Sequence, residues 1–134
     1  MRTETLSVLI HAPADQVDRF VRDVKNLPRW VPFFTSVIRS DKSGVWLVET
    51  PDGPAEFEFV AANPFGVLDH TIRFASGASL TNPMRVLNNG DTSVLTFTVF
   101  QVNAMTEQQF KEDLRLVKKD LSTIRRLIET SSQA

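Results

Sequence analysis

Cysteine and tyrosine are both absent from the chain. Without thiols it forms no disulfide, offers no thiolate nucleophile and builds no cysteine-ligated zinc centre; without a phenol it has no tyrosine acid. Histidine is scarce. His11 and His70 are the only two, and they stand on separate segments with no paired spacing, so neither a metal site nor any cofactor is expected. Neither sign of charge dominates: 15 Lys plus Arg against 16 Asp plus Glu leave a net charge of -1. A chain so balanced has no basic field with which to hold nucleic acid or an anionic bilayer. No apolar run approaches the ~18 residues of a membrane span, and the N-terminus opens on a strand-like pattern where a signal peptide would have an apolar core. The expectation is a soluble, cytoplasmic protein with no nucleic-acid partner and no membrane insertion. The two Ser-Gly pairs, Ser43-Gly44 and Ser76-Gly77, lie outside any Gly-x-Ser-x-Gly elbow, which removes support for hydrolase chemistry.

What the chain does contain is one long amphipathic stretch near its end. Thr106 and Gln109 have the spacing of a capping box, and Met105 and Phe110 stand at the two positions of a hydrophobic staple. Beyond them Phe110, Leu114, Val117, Leu121, Ile124 and Ile128 recur at steps of four and three and form one stripe. The spacing predicts a helix from Thr106 to about Ser131, roughly 39 Å long at ~1.5 Å per residue. A rod of that length needs an equally long receiving surface, and no second helix matches it. Thr130 to Ala134 read as a frayed tail.

From Glu4 to His11 the residues alternate, with Leu6, Val8 and Ile10 on one face, which predicts a strand. Pro13 suits the first position of a short helix carrying Val17, Phe20, Val21 and Val24. Pro28 and Pro32 confine the next segment to a second short helix or turn, in which Trp30 and Phe33 would plug one end of the core. The period then changes to two. Strand candidates run from Phe34 to Ser40, Gly44 to Thr50, Ala55 to Ala62, Val67 to Ala75, Ser79 to Asn88 and Ser93 to Val102, separated by gaps short enough for hairpins. With no crossover helix between them they form an antiparallel meander, and the N-terminal strand makes a seventh. The fold class is therefore α+β: a curved seven-stranded antiparallel sheet, two short helices after the first strand and a long C-terminal helix, in one domain spanning 1–134.

Two side chains invite chemistry. Asp69 beside His70 suggests a dyad, but adjacent residues of a strand leave opposite faces, so Asp69 points to solvent if His70 points inward. His70 itself has three readings: a core histidine bonded to backbone or water, a polar contact for a ligand, or a general base. Arg85, flanked by Met84 and Val86, has an ambiguous phase. Facing inward it could hold an oxyanion; facing outward it is a solvated surface group. Asn82 has the opposite phase, and both line the interior only if a bulge near Pro83 shifts the register.

The order of elements resembles the helix-grip fold of the START/Bet v1-like (SRPBCC) superfamily, over nearly the whole chain. The stretch "VLIHAPADQVDRFVRDVKNLPRWVPFF" is similar to the strand, Ala-Pro, helix and Asn-Leu-Pro-x-Trp pattern of the polyketide cyclase/dehydrase-like branch. "NPFGVLDHTIRF" and "PMRVLNNGDTSVLTFTVF" match that branch as well. The resemblance implies a cavity between sheet and long helix for a small hydrophobic molecule such as a lipid, a polyketide or an aromatic compound. Phe57, Phe59, Ile72 and Phe74 would then supply its walls, Phe110, Leu114 and Val117 its roof, and His70 with Arg85 would orient the ligand's polar end. The competing readings are a cyclase or dehydratase in which His70 moves a proton and Arg85 steadies an enolate, and a lipid or quinone chaperone. Bulky apolar residues on both faces of the strand at Leu95 to Phe100 add the expectation of a homodimer through the outer face of the sheet.

Overall fold

A computed structural model describes residues 2–102 and 104–132. Strand β1 (Thr3–Ile10) is followed by helix α1 (Ala14–Arg22), a 3-10 turn (Val24–Asn26) and the one-turn helix α2 (Leu27–Trp30). Seven further strands follow: β2 (Ser36–Arg39), β3 (Val45–Thr50), β4 (Gly53–Phe59), β5 (His70–Phe74), β6 (Ser79–Asn82), β7 (Met84–Asn89) and β8 (Thr92–Phe100). Helix α3 (Glu107–Ser132) closes the chain. Every strand pair is antiparallel. Gln133 and Ala134, the end of the expected tail, lie outside the described residues, and α3 is helical through the rest of that stretch.

The strand count differs from the sequence expectation at one place, Pro83. The run from Ser79 to Asn88 is two strands, because proline has no N–H to give to a ladder. Its carbonyl still accepts from Thr98 N at 3.0 Å. Before the break β6 pairs with β5; after it β7 pairs with β8. The result is a five-stranded sheet ordered β2-β3-β4-β5-β6 and a three-stranded sheet ordered β1-β8-β7. They are stitched by the approach to β5, where Leu68 N donates to Met84 O and Val86 N to Gly66 O. No bulge shifts the phase at Pro83: Met84 and Val86 are buried while Arg85 is exposed.

The long helix starts as the spacing predicts. Thr106 N donates to Gln109 Oε1 at 2.8 Å and Gln109 N donates to Thr106 Oγ1 at 3.1 Å, the reciprocal pair of a capping box. Its stripe meets β1 and β8, with α2 and α1 beside it. Arg2 pairs with Glu107 and lies over the Phe110 ring, and His11 N donates to Glu129 Oε2, so α3 runs in the same direction as β1. Trp30 is buried as expected, but the residue that joins it is Phe34, at 1% exposure, and not Phe33, at 46%. Phe33 stacks edge-on against Phe34 from outside.

The turn before β5 is tightly built. Asn63 Oδ1 accepts from Phe65 N and Val67 N, its Nδ2 donates to the Ala61 and Val67 carbonyls, and the Arg22 guanidinium donates to the Val60, Ala61 and Val67 carbonyls. Gly66 within it has φ +73°, and a Cβ there would stand 2.2 Å from Val86 O. Both the left-handed backbone and the close approach require glycine. Replacing Gly66 by Ala is expected to cost about 3 kcal/mol, read as a lower urea midpoint. A Gly66→Ala protein as stable as the parent would contradict the stitch between the sheets.

Candidate functional site

Cross-strand register decides which side chains share the concave face. Phe57 is opposite Ile72 and Trp46, Phe59 is opposite His70, Ala55 is opposite Phe74, and Leu80 and Asn82 stand against Ile72 and His70. Directly opposed residues point to one side of a sheet, so all of these face inward. The charges go to the other side: Arg73 bridges Glu56 and Glu58 at 3.0 and 2.7 Å, and Lys42 adds a contact to Glu56.

His70 sits at the centre of an aromatic cluster. Phe57 stacks on its ring at 5.1 Å between centroids, while Phe59, Phe97 and Trp30 meet it edge-on at 5.5, 5.8 and 6.4 Å. Nδ1 lies 3.2 Å from Leu68 O and Nε2 lies 3.2 Å from Asn82 Nδ2. A carbonyl can only accept and an amide nitrogen can only donate, so the ring is the neutral tautomer with its proton on Nδ1. Burial pushes the imidazole down to about 4, against the smaller opposing pulls of the Leu68 carbonyl and the Asp69 charge. Of the three readings, the geometry is that of the satisfied core histidine. A general base with both nitrogens engaged and so low a pKa has little to offer near neutral pH.

Arg85 requires a correction. It faces outward and binds Asp69 through Nε and Nη2 at 3.1 and 3.0 Å. Asp69 also accepts from Met84 N at 2.8 Å. Burial works to raise the Asp69 carboxyl, but the Arg85 guanidinium and the Met84 amide outweigh it and hold it below the usual range. His70 and Arg85 therefore lie on opposite faces of the sheet and cannot act on one substrate. The inward phase belongs to Asn82, which the sequence left as the alternative.

The remaining expected residues divide by burial. Phe57 and Ile72 are sealed in the core, and Phe110 is fully buried beneath Arg2 and near β1, so it is not part of a roof. Phe59, Phe74, Leu114 and Val117 are half-buried, as is Trp46, and Leu80 is 37% exposed. These apolar groups on the inner side of the sheet and on the α3 stripe are the part of the interior left partly uncovered. Asp113 and Asp120 share the edge of α3 that Val117 occupies, at steps of four and three. Burial raises both carboxyls, Asp120 to about 7, with a further upward push on Asp113 from Glu112. Neither was singled out from sequence, although two acids within one apolar helical stripe were a readable signal.

Two surface depressions lie elsewhere. One of about 740 Å³ opens between α1, the turn at residues 63–66 and β7, with Phe65 at its rim; the other, about 430 Å³, lies on the outward side of α3 around Lys119 and Arg126. Neither is enclosed by the sheet and α3. No helix among the described residues is long and apolar enough to cross a membrane.

This arrangement, an antiparallel sheet gripping a long C-terminal helix, is shared with solved structures of low sequence identity. A protein from Bacillus thuringiensis superposes with a TM-score of 0.73 at 17% identity, covering 95% of this chain and 98% of that one. Ara h 8.0201 gives 0.71 at 15% identity, covering 96% and 98%. The di-domain ARO/CYC BexL from the BE-7585A biosynthetic pathway gives 0.74 at 16% identity; all of this chain matches 48% of BexL. No match is found among curated proteins. Residues 1–129 match the polyketide cyclase/dehydrase and lipid transport family, and the chain belongs to it.

Two titrations set opposing pH dependences. His70 is held neutral in the folded chain, so the unfolded chain binds the extra proton. Stability is complete above pH ~6.5 and is lost as pH falls toward 4, by roughly 3 kcal/mol. Asp120 is held protonated, so its contribution is complete below the ordinary carboxylate range and is lost as pH rises toward 7. Urea midpoints between pH 4 and 7 are expected to rise with pH more steeply in Asp120→Asn than in the parent. In His70→Gln the slope changes in the other direction. Parallel profiles for all three proteins would refute both assignments.

Proposed function

We propose that this chain binds a small hydrophobic molecule between the concave face of β3–β6 and the inner edge of α3. The observation that carries the reading is the partly uncovered apolar surface formed by Trp46, Phe59, Phe74, Leu80, Leu114 and Val117. Such side chains are ordinarily either sealed in a core or replaced by polar ones; an inner sheet face that keeps them half-open is suited to an apolar guest. Membership of a family described by cyclase, dehydrase and lipid-transport members is consistent with a guest of that kind. Proton transfer by His70 assisted by Arg85 has no shared face on which to occur, and the binding reading does not need it.

Native mass spectrometry of protein purified from its own host is expected to show a retained small apolar molecule. Titration with Nile red is expected to give saturable binding that Val117→Glu and Leu80→Glu each weaken at least tenfold, about 1.4 kcal/mol. Arg85→Met, on the outer face, leaves it unchanged. Protein that is empty from its host and does not bind the dye would remove the proposal.

The homodimer reading rests on the outer face. Leu9, Val94 and Leu87 form a row across β1, β8 and β7. Leu9 and Leu87 are 48% and 53% exposed, and Phe65 near the same edge is 79% exposed. Asp15 and Arg19, one helical turn apart on α1 beside this edge, could exchange partners with the same pair of a second copy. Sedimentation at micromolar concentration is expected to show a dimer that Leu87→Lys dissociates. A monomer throughout would remove this partner.

A further inference from the structure

Main-chain hydrogen bonds fix which way each residue of β1 turns. Arg2 O accepts from Gln101 N, and the register with β8 then runs unbroken from Thr3 opposite Phe100 to Ile10 opposite Ser93. Successive residues of an antiparallel strand turn their N–H and C=O groups to alternate sides. Glu4, Leu6, Val8 and Ile10 therefore bond to β8, while Thr3, Thr5, Ser7 and Leu9 point away from it. Two bonds check this phase. Thr98 N, opposite Thr5, donates to Pro83 O on the β7 side, and His11 N, next in the outward set, donates to Glu129 Oε2 on α3. β1 is the end strand of its sheet, eight residues long, with no proline, lysine or bulge to blunt it. Thr3, Thr5, Ser7 and Leu9 are all exposed. Edges of this kind are ordinarily protected, because their free groups pair with any extended chain.

The helix beside this edge carries charge of one sign. α3 is tied to both ends of β1, by Glu107 to Arg2 and by Glu129 to His11 N. The two spans agree: about 30 Å from Arg2 to His11 at ~3.3 Å per residue, and about 33 Å from Glu107 to Glu129 at ~1.5 Å. Glu129 thus marks the flank of α3 that looks over the free edge. At ~100° per residue, Lys111, Lys118 and Arg125 fall within about 40° of it, on a line with roughly 10 Å between neighbours. All three are exposed and have no carboxylate partner among the described residues, whereas the arginines of β5 and β7, Arg73 and Arg85, each hold one. The acids of this flank, Glu107 and Glu129, are the two already committed to β1, and Glu4 is held by Arg2. Asp113 and Asp120 lie on the opposite edge, roughly 180° round the axis. Leu6 and Val8, on the inner side of β1, pack against the core but are only half-buried.

We propose that the open edge of β1 and the line of Lys111, Lys118 and Arg125 form one docking strip, which takes an extended acidic segment of a partner protein as a fourth strand beside β1. The outward main-chain groups of Thr3 to Leu9 supply the pairing, Leu6 and Val8 an apolar floor, and acidic side chains at alternate positions of the guest meet the cations. No other occupant uses both halves of the strip. An anionic bilayer satisfies the cations and leaves the strand edge to water. A second copy paired edge to edge about a two-fold satisfies the edge but sets the two lines of like charge side by side. The strip lies across α3 from the edge that borders the apolar site, so it stands whether or not that site holds a guest.

The probe is a fluorescein-labelled peptide, Thr-Glu-Val-Glu-Val-Glu-Val-Glu-Thr amide, followed by anisotropy at low ionic strength. It is compared with a peptide carrying Lys for every Glu and with one carrying Pro for the central Val, which keeps the charge and breaks the pairing. The acidic peptide is expected to bind saturably and both controls at least tenfold more weakly, about 1.4 kcal/mol. On the protein, the double substitution Lys111→Glu with Lys118→Glu is expected to cost tenfold or more. So is Ser7→Pro, which removes an outward N–H and leaves the ladder to β8 intact. Equal affinity for the valine and proline peptides, or for the parent and a folded Ser7→Pro, means attraction by charge alone and overturns the strand addition. Capture by phosphatidylserine vesicles without peptide binding makes the face a membrane surface and overturns the proposal. Absence of all binding, or a dimer that Ser7→Pro dissociates, does the same. Should Ser7→Pro fail to fold, hydrogen exchange in the parent decides: saturating acidic peptide is expected to slow the Thr5, Ser7 and Leu9 amides at least tenfold, and unchanged rates overturn the docking strip.

Discussion

A single helix is narrower than the sheet it must cover, and most of this structure follows from that mismatch. An α-helix with side chains is about 10–12 Å across. Five strands at about 4.8 Å spacing span roughly twice that width. The stripe of α3 therefore commits to one side: Phe110, Leu121, Ile124 and Ile128 are buried, and β1 and β8 are the strands it packs on. Curling the sheet at Pro83 brings the five-stranded part round toward the helix but does not close it. α1 and α2 cover one end, with Leu27, Trp30 and Phe34 filling what they enclose. Leu80, Phe59 and Phe74 on the sheet and Val117 on the stripe are what remains, too apolar for solvent and only partly covered.

Where the sheet is closed, its interior is fixed by a short chain of hydrogen bonds. Asn82 donates to His70, and His70 donates to the carbonyl of Leu68, which precedes β5. Leu68 N in turn donates to Met84 O on β7. One imidazole thus links β6, β5 and the segment that stitches the two sheets, immediately beside the Pro83 break. Burying that ring among four aromatic neighbours is tolerable only because it is neutral and both nitrogens are engaged. The same requirement makes it a poor catalyst. Charge is displaced to the opposite face, where Arg85 holds Asp69 and Arg73 holds two glutamates in contact with water.

Much of this was legible because periodicity is a property of the chain itself. The capping box at Thr106 and Gln109, the α3 stripe, and the inward phase of Phe57, Phe59, His70 and Ile72 all follow from spacing, and the family was readable in the N-terminal stretch. Arg85 was not, because both of its neighbours are apolar and alternation alone gives no sign. Asp69 held the missing information: an outward acid across from an outward arginine fixes the phase, but only once the Val67 to Arg85 bridge is known. Phe33 and Phe34 were exchanged for a related reason, since a turn after Pro32 has no period to count. The role of Phe110 failed differently. Its place on the stripe was right, but the stripe meets β1 at that end, and a helical wheel does not say which strand lies beneath each turn.

Trp30 shows where pattern reading stops altogether. From sequence it is one aromatic residue in a proline-bounded turn, and its burial was expected; nothing in the spacing indicates whether its nitrogen has a partner. That depends on the contents of three strands remote in sequence, β4, β5 and β8, all of which supply rings or an imidazole already engaged. The indole nitrogen has no partner among the described residues, while the imidazole beside it has two. Burial of a large ring is thus legible from the chain, but which polar atoms of the packed interior find one another depends on segments that meet only in the folded state.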